Sequence, residues 1–267
     1  MQDVLTEHKR WESVPNRREP ITMEMIRYWH RRSIDAHPDS IDAAMFDWML
    51  LGIQAGFRKS EWLQDSHLHS NKKSFSLNRD GTITAFTRSD FTFSQASAAT
   101  NSTYPNSTSP FSQLHIRWRF QKNGQNGQQV SFNHNYVNED FSLVSAARRI
   151  LARADRLGVP DHHPIAVFSD QDVPQHLHHT LIEHHIRSAV RNVYNIRSET
   201  TLKLFGCHSV RVGACVLLHA AERDPLFIQF LLRWRSNSFL VYLRNTPRIA
   251  AIHNNLVNTI NTDELAF

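Results

Sequence analysis

The chain carries only two cysteines, Cys207 and Cys215, in 267 residues. So few exclude a fold stapled by disulfides. No apolar run reaches the length that spans a bilayer. The opening Met1-Gln2-Asp3-Val4 holds an acid and no apolar core, which predicts no secretory signal. No internal repeat is present, and no basic cluster resembles a nuclear import signal. No His-Glu-x-x-His or comparable metal motif occurs either. These absences predict a soluble intracellular protein with no metal site. What is present fits that reading. Hydrophobic residues make up 40% of the chain and aromatics 10%, enough for a core and too much for a wholly disordered polymer. The length suits one large domain or two small ones. Lys and Arg number 30 against 25 Asp and Glu, a basic excess that permits a polyanionic partner without requiring one.

Residues 1–20 are polar, end in Pro15-Asn16-Arg17-Arg18-Glu19-Pro20, and read as a tail or the remnant of an interdomain linker. Thr22 is a usable N-cap, with Glu24 in the first turn and Met25, Ile26 and Trp29 on one face. Pro38-Asp39-Ser40 restarts a helix whose Ala44, Met45, Trp48, Leu50 and Leu51 suit burial, with Gly52 and Gly56 near its end. The period then changes. Residues 74–95 read as strands around a turn at Arg79-Asp80-Gly81, and about 94–112 is a Ser/Thr/Asn/Ala-rich flexible insertion. Leu114 to Phe120 alternates apolar and polar, and Val130 and Phe132 resume the alternation after Asn123-Gly124 and Asn126-Gly127, a β-hairpin signal. Helices are expected at 142–157, 173–194, 209–221, 226–233 and 238–244. The fold class is therefore mainly α with a small antiparallel β-sheet (α+β).

Four segments carry chemistry-bearing side chains: Gly56-Phe57-Arg58-Lys59-Ser60-Glu61, Lys122 at the hairpin turn, His208-Ser209-Val210-Arg211, and Arg233-Trp234-Arg235-Ser236 through Tyr242. Singly, each has an ordinary explanation as a surface cation, a turn lysine, a helix cap or a core aromatic. In order, Arg…Lys…His-x-x-Arg…Trp…Tyr resembles the catalytic domain of the tyrosine recombinase (phage-integrase) family. The look is nearest to the eukaryotic Crypton and DIRS-like mobile-element recombinases. The resemblance covers about residues 20–245. It is most specific where His-x-x-Arg is followed by Arg-Trp-x-Ser and a tyrosine eight residues after the tryptophan. Leu232 departs from it, standing where many relatives have glycine before Arg-Trp.

The resemblance implies an integrase-like catalytic core over 21–245 that cleaves and rejoins double-stranded DNA through a 3′-phosphotyrosyl intermediate, without metal or cofactor. It implies Tyr242 as nucleophile, Arg58 and Arg211 as the clamp on the non-bridging phosphate oxygens, and Lys122 as the acid for the leaving 5′-oxygen. His208 would handle a proton or hydrogen-bond the phosphate, Trp234 would donate its indole N–H, and Glu61 would orient Arg58 or buffer its charge. Two guanidiniums suit this task because their planar forks match phosphate geometry and neutralise its charge. The resemblance also implies a homo-oligomer on DNA (dimer or tetramer), a separate clamp domain preceding the core, and a nuclear address if the host is eukaryotic.

Arg148, Arg149, Arg153 and Arg156 share one predicted helix, and Arg187 and Arg191 lie four apart on another. Such rows are solvated faces or sequence-indifferent contacts to a DNA backbone. The backbone candidates are Arg119, Arg148, Arg187, Arg191, Arg233 and Arg235. The histidines at 162, 163, 176, 178, 179, 184 and 185 lack zinc-site spacing, and Cys207 has no orienting acid, so both thiols are expected to be buried. Ile249, Ile252, Leu256, Val257 and Ile260 predict an amphipathic tail helix over 246–267, packed in cis or on a neighbouring protomer. The competing functions are a truncated or domesticated recombinase that binds DNA without cutting it, and a type IB topoisomerase-like relaxase.

Overall fold

The computed structural model describes residues 18–63, 83–95, 111–121, 126–236 and 239–243. The Arg79-Asp80-Gly81 turn, Lys122 and the tail over 246–267 lie outside them.

Helix α1 (Met23–Ile34) starts where Thr22 accepts a hydrogen bond from the Met25 amide. Helix α2 (Ile41–Ala55) starts at Ser40, whose hydroxyl accepts from the Ala43 amide, and ends at Gly56 with φ 64°. Ordinary L-residues resist that left-handed conformation and glycine does not. Apolar residues occupy nearly every face of α2, so it can only be a central, wholly buried helix. It packs against α1, α4 (Leu143–Arg156) and α7 (His208–Ala220). One acid is buried with it: Asp47 accepts from Arg149 and Arg153 of α4, both at 2.6 Å. Arg156 is likewise bound, to Asp39 at 2.7 Å. Most of the arginine row on α4 thus serves helix packing, and Arg148 remains exposed.

Strands β1 (Phe91–Gln95), β2 (Phe111–Trp118) and β3 (Gln128–Asn133) form an antiparallel sheet in that order. Ile116 pairs with Val130 and Leu114 with Phe132, the register that keeps Leu114, Ile116 and Trp118 on one buried face. Ser94, Gln95, Phe111 and Ser112 belong to these strands, so the ends of the expected insertion are ladder residues and only 96–110 fall outside the described segments.

A second hairpin joins β4 (Val167–Asp170) to β5 (Val173–His176). It corrects the helix expected at 173–194: α5 runs only from His179 to Tyr194. The turn residues Gln171 and Asp172 have φ of 47° and 63°. That is the geometry of a two-residue hairpin turn, adopted here without the glycine that normally announces it.

After α6 (Glu199–Leu202), α7 runs into α8 (Pro225–Leu231) and α9 (Leu240–Leu243). A separate small core holds this end together: Ala214, Cys215, Ile228, Leu232, Phe239 and Leu243, with Trp234 and Tyr242 at its margin. No described helix is long and apolar enough to cross a membrane. Pro20 precedes Ile21, which is buried and whose amide donates to Ser209; Glu19 donates to Leu204. The end of the expected tail is thus fixed against the α6–α7 region.

Candidate active site

The site forms where the chain leaves α2. Gly56 turns the backbone, and Phe57, 1% exposed, inserts among Trp48, Phe86 and Trp118. With Phe57 anchored, Arg58 becomes the N-cap residue of the short helix α3 (Lys59–Trp62). Glu61, on that helix, reaches back to accept from the Arg58 amide at 2.8 Å and from Arg58 Nη1 at 3.0 Å. This is the reciprocal half of a capping box, and it fixes the arginine beside the acid three residues on.

Glu61 is buried, and other elements converge on it. Trp118 Nε1 of β2 donates to it at 3.2 Å, and Arg233 Nη2 donates at 3.0 Å. Arg233 follows α8. Its amide donates to Phe230 and the Trp234 amide to Gln229, a Schellman turn that places Arg233 at the left-handed position, φ 57°. Glycine is usual there, and an arginine costs about 1–2 kcal/mol by the handedness of L-residues. The Arg233 guanidinium lies 3.9 Å over the Trp118 ring and donates to the Ala55 and Gly56 carbonyls. Its charge is paired with Glu61 and its Nη groups are turned inward onto that carboxylate and the two carbonyls. Arg233 is therefore removed from the DNA-backbone candidates.

Arg211 lies one turn into α7. Its two Nη groups donate to the Gly56 and Leu232 carbonyls, and its guanidinium stacks 4.6 Å from the centre of the Trp234 ring. Arg58 Nη2 donates to the Arg233 carbonyl at 2.6 Å. The loop after α2 and the turn after α8 thus hold both arginines. Burial first, then the charges of Arg58 and Arg233, push the Arg211 guanidinium down to about 9, still charged at neutral pH. Arg58 is 21% exposed and Arg211 2%, so Arg58 is the more open of the two.

Tyr242, on α9, is half-buried, with its hydroxyl 3.0 Å from His208 Nε2 at the start of α7. The Trp234 ring lies 6.0 Å from the Tyr242 ring and bridges the phenol to Arg211. Burial, then the Arg211 and Arg18 charges, lower the His208 pKa from its usual 6.5. A neutral imidazole with unprotonated Nε2 accepts the hydroxyl proton of Tyr242.

Arg58, Glu61, Arg211, Trp234, His208 and Tyr242 are therefore connected by direct contacts, although they come from stretches up to 184 positions apart in the 267-residue chain. Three further backbone candidates are engaged elsewhere. Arg119 is bound to Asp90 at 2.9 Å and to the Ala85 carbonyl at 2.8 Å. Arg187 is held by Glu183 and the Phe205 carbonyl, and Arg191 by Glu199. Arg235 is exposed. Burial pushes the Cys207 thiol up to about 12 and Cys215 to about 11, so neither supplies a thiolate. Among the described residues no group of three or more His, Cys, Asp or Glu could hold a metal ion.

XerH site-specific recombinase bound to difH substrate, in its pre-cleavage complex, superposes with a TM-score of 0.50 at 14% identity over 86% of this chain. Over that span the chain shares the fold of XerH. The XerH post-cleavage complex on palindromic difH gives 0.50 at 12% identity over 87% of this chain. The chain spans about half of XerH, 51% and 50% of its length in the two complexes. The Tn1549 transposon integrase in complex with transposon right end DNA gives 0.46 at 13% identity, over 92% of this chain and 68% of that one. No family model and no curated protein matches the sequence. Within the core, sequence reasoning missed the place of Phe57 and Trp118 behind the arginines; the alternation over 114–120 announced burial for Trp118 only.

Proposed function

We propose that this protein is a DNA strand-transferase of the tyrosine recombinase type. One observation carries the reading: two guanidiniums, an imidazole and a phenol from distant segments meet around the turn at 231–234, with a single buried carboxylate behind them. A phosphodiester resists attack because its anionic oxygens repel nucleophiles. Arg58 and Arg211 would neutralise those oxygens, each ionic hydrogen bond contributing roughly 1.5–3 kcal/mol. The share that tightens as charge builds on the pentacoordinate phosphorus lowers the barrier.

In this reading the Tyr242 oxygen attacks phosphorus as its proton passes to His208. The P–O5′ bond breaks, the strand's 3′-phosphate stays on the tyrosine, and the 5′-oxygen leaves as a hydroxyl after taking a proton. Lys122 is our candidate for that proton on the family resemblance alone. The ester energy is kept in the phosphotyrosyl bond, so attack by a 5′-hydroxyl reverses the step without a nucleotide cofactor. Trp234 would donate its indole N–H to the phosphate, and the exposed Arg148 and Arg235 would contact the backbone. We extend the proposal to integration or excision of a mobile element of the Crypton or DIRS kind, acting as an oligomer with a helical clamp domain, and to the nucleus of a eukaryotic host.

A nicked suicide duplex, whose 5′-hydroxyl fragment diffuses away, tests the reading. The wild-type protein is expected to accumulate a covalent adduct in the presence of a chelator, and Tyr242→Phe to bind the duplex without forming one. An adduct in Tyr242→Phe would refute the nucleophile. Duplex binding with no adduct under any condition would replace this reading with that of a non-cleaving DNA-binding module.

A further inference from the structure

We infer that Arg233 is a positioning residue for the two phosphate-facing arginines. This deepens the reading above and rests on it for what the site does. The residue touches Arg58, the backbone before it, Glu61 and Trp118, and it reaches Arg211 through the Gly56 carbonyl they share. Its guanidinium donates to the Ala55 and Gly56 carbonyls just before Arg58, and to the Glu61 carboxylate. Its own carbonyl accepts from Arg58 Nη2. The Gly56 carbonyl it holds is also an acceptor for Arg211. Its cation lies over Trp118, whose indole donates to the same Glu61 oxygen.

Charge sharing follows from this arrangement. One carboxylate accepts from the guanidiniums of both Arg58 and Arg233. With Arg233 in place, Glu61 is neutralised from behind, and Arg58 keeps both charge and unused N–H groups for a phosphate. Without it, Glu61 would belong to Arg58 alone and would compete with the substrate for that fork. The backbone conformation gives independent support. Glycine would suit φ 57° better, so the turn itself does not account for an arginine there. The side chain does.

The test compares Arg233→Met, Arg233→Lys and Glu61→Gln/Arg233→Met with wild type. Adduct formation on the suicide duplex is measured in single turnover beside duplex affinity. A second readout is the rise in melting temperature caused by orthovanadate, which needs the arginines but not the nucleophile. Arg233→Met is expected to bind duplex near wild-type affinity while forming adduct about 10²-fold more slowly, the scale of losing one preorganised donor. Its vanadate shift should vanish. Glu61→Gln/Arg233→Met should recover about tenfold of the lost rate, because neighbouring charges couple. Arg233→Lys should fall between wild type and Arg233→Met.

A wild-type rate in Arg233→Met, or a double variant no faster than the single, overturns the inference and leaves a packing role. If Arg233→Met does not fold, Arg233→Lys decides: an intermediate rate with the vanadate shift retained supports the inference. A wild-type rate overturns it, because an ammonium cannot hold the two carbonyls and the carboxylate as the fork does. A wild type that makes no adduct, yet shows a vanadate shift that Arg233→Met abolishes, refutes strand transfer and leaves this inference standing.

Discussion

The Tyr242 hydroxyl lies 3.0 Å from His208 Nε2, and the histidine stands one helical turn before the buried Arg211. That spacing ties the phenol to the electrostatics of α7. The Arg211 charge opposes protonation of His208, so the imidazole that meets the phenol is the basic form.

His208 therefore predicts a pH dependence. Its folded pKa lies below the ordinary value, so adduct formation should fall as acidity protonates the imidazole, somewhere under pH ~6.5. His208→Ala should remove that limb and slow the reaction about 10²-fold at neutral pH, the range for general-base loss. A pH–rate profile checks both; an unchanged acid limb in the variant would take His208 out of the proton path. Stability carries the same sign. The unfolded chain takes the proton first, so this contribution is fully present above the unfolded pKa and is lost as pH falls to the depressed folded value.

Removing the Glu61 carboxylate should be costly. Glu61→Ala would leave the Arg233 guanidinium, fully buried, without its counter-ion, and breaking such a pair costs about 3–5 kcal/mol. Glu61→Gln keeps hydrogen-bonding atoms and should lose less. Urea denaturation measures both, and equal losses would mean that the charge, which both variants remove, carries the whole effect.

Gly56→Ala should damage the fold and the site together. Its φ of 64° disfavours any Cβ, and an added Cβ would clash with Leu232 Cδ2. The conformation alone costs about 1–2 kcal/mol. Gly56→Ala/Leu232→Ala should relieve the clash but not the conformational strain. Adduct assays on the folded fraction would show whether displacement of the 56–58 loop carries Arg58 away.

Asp47→Ala is the contrasting case. Asp47 lies at the α2–α4 interface, 1% exposed and bound to Arg149 and Arg153. Its loss should cost about 3–5 kcal/mol by leaving buried arginine charge uncompensated. Adduct formation per folded molecule should not change. A selective loss of cleavage would mean that α4 transmits strain to the site.

Much of the architecture was legible one segment at a time. Thr22, Ser40 and Gly56 marked the ends of α1 and α2 because capping is local chemistry of single residues. The alternation around Leu114 and Ile116 gave the hairpin because strand faces repeat every second residue. The β4–β5 hairpin was missed because its turn uses Gln171 and Asp172 rather than glycine, and β5 then read as the start of α5. The arginines on α4 looked like a surface row because their acids, Asp39 and Asp47, lie more than a hundred positions away.

The order and types of Arg58, His208, Arg211, Trp234 and Tyr242 were written in the chain, as were the caps that end the helices carrying them. A linear string cannot state which side of a helix faces which carbonyl. The packing of α7, α8 and the loop after α2 alone decided that Arg233 turns inward onto Glu61 while Arg58 stays partly open. Burial sorted the two apart: a guanidinium removed from water must find a carboxylate and carbonyls, and only the folded chain brings those to one place.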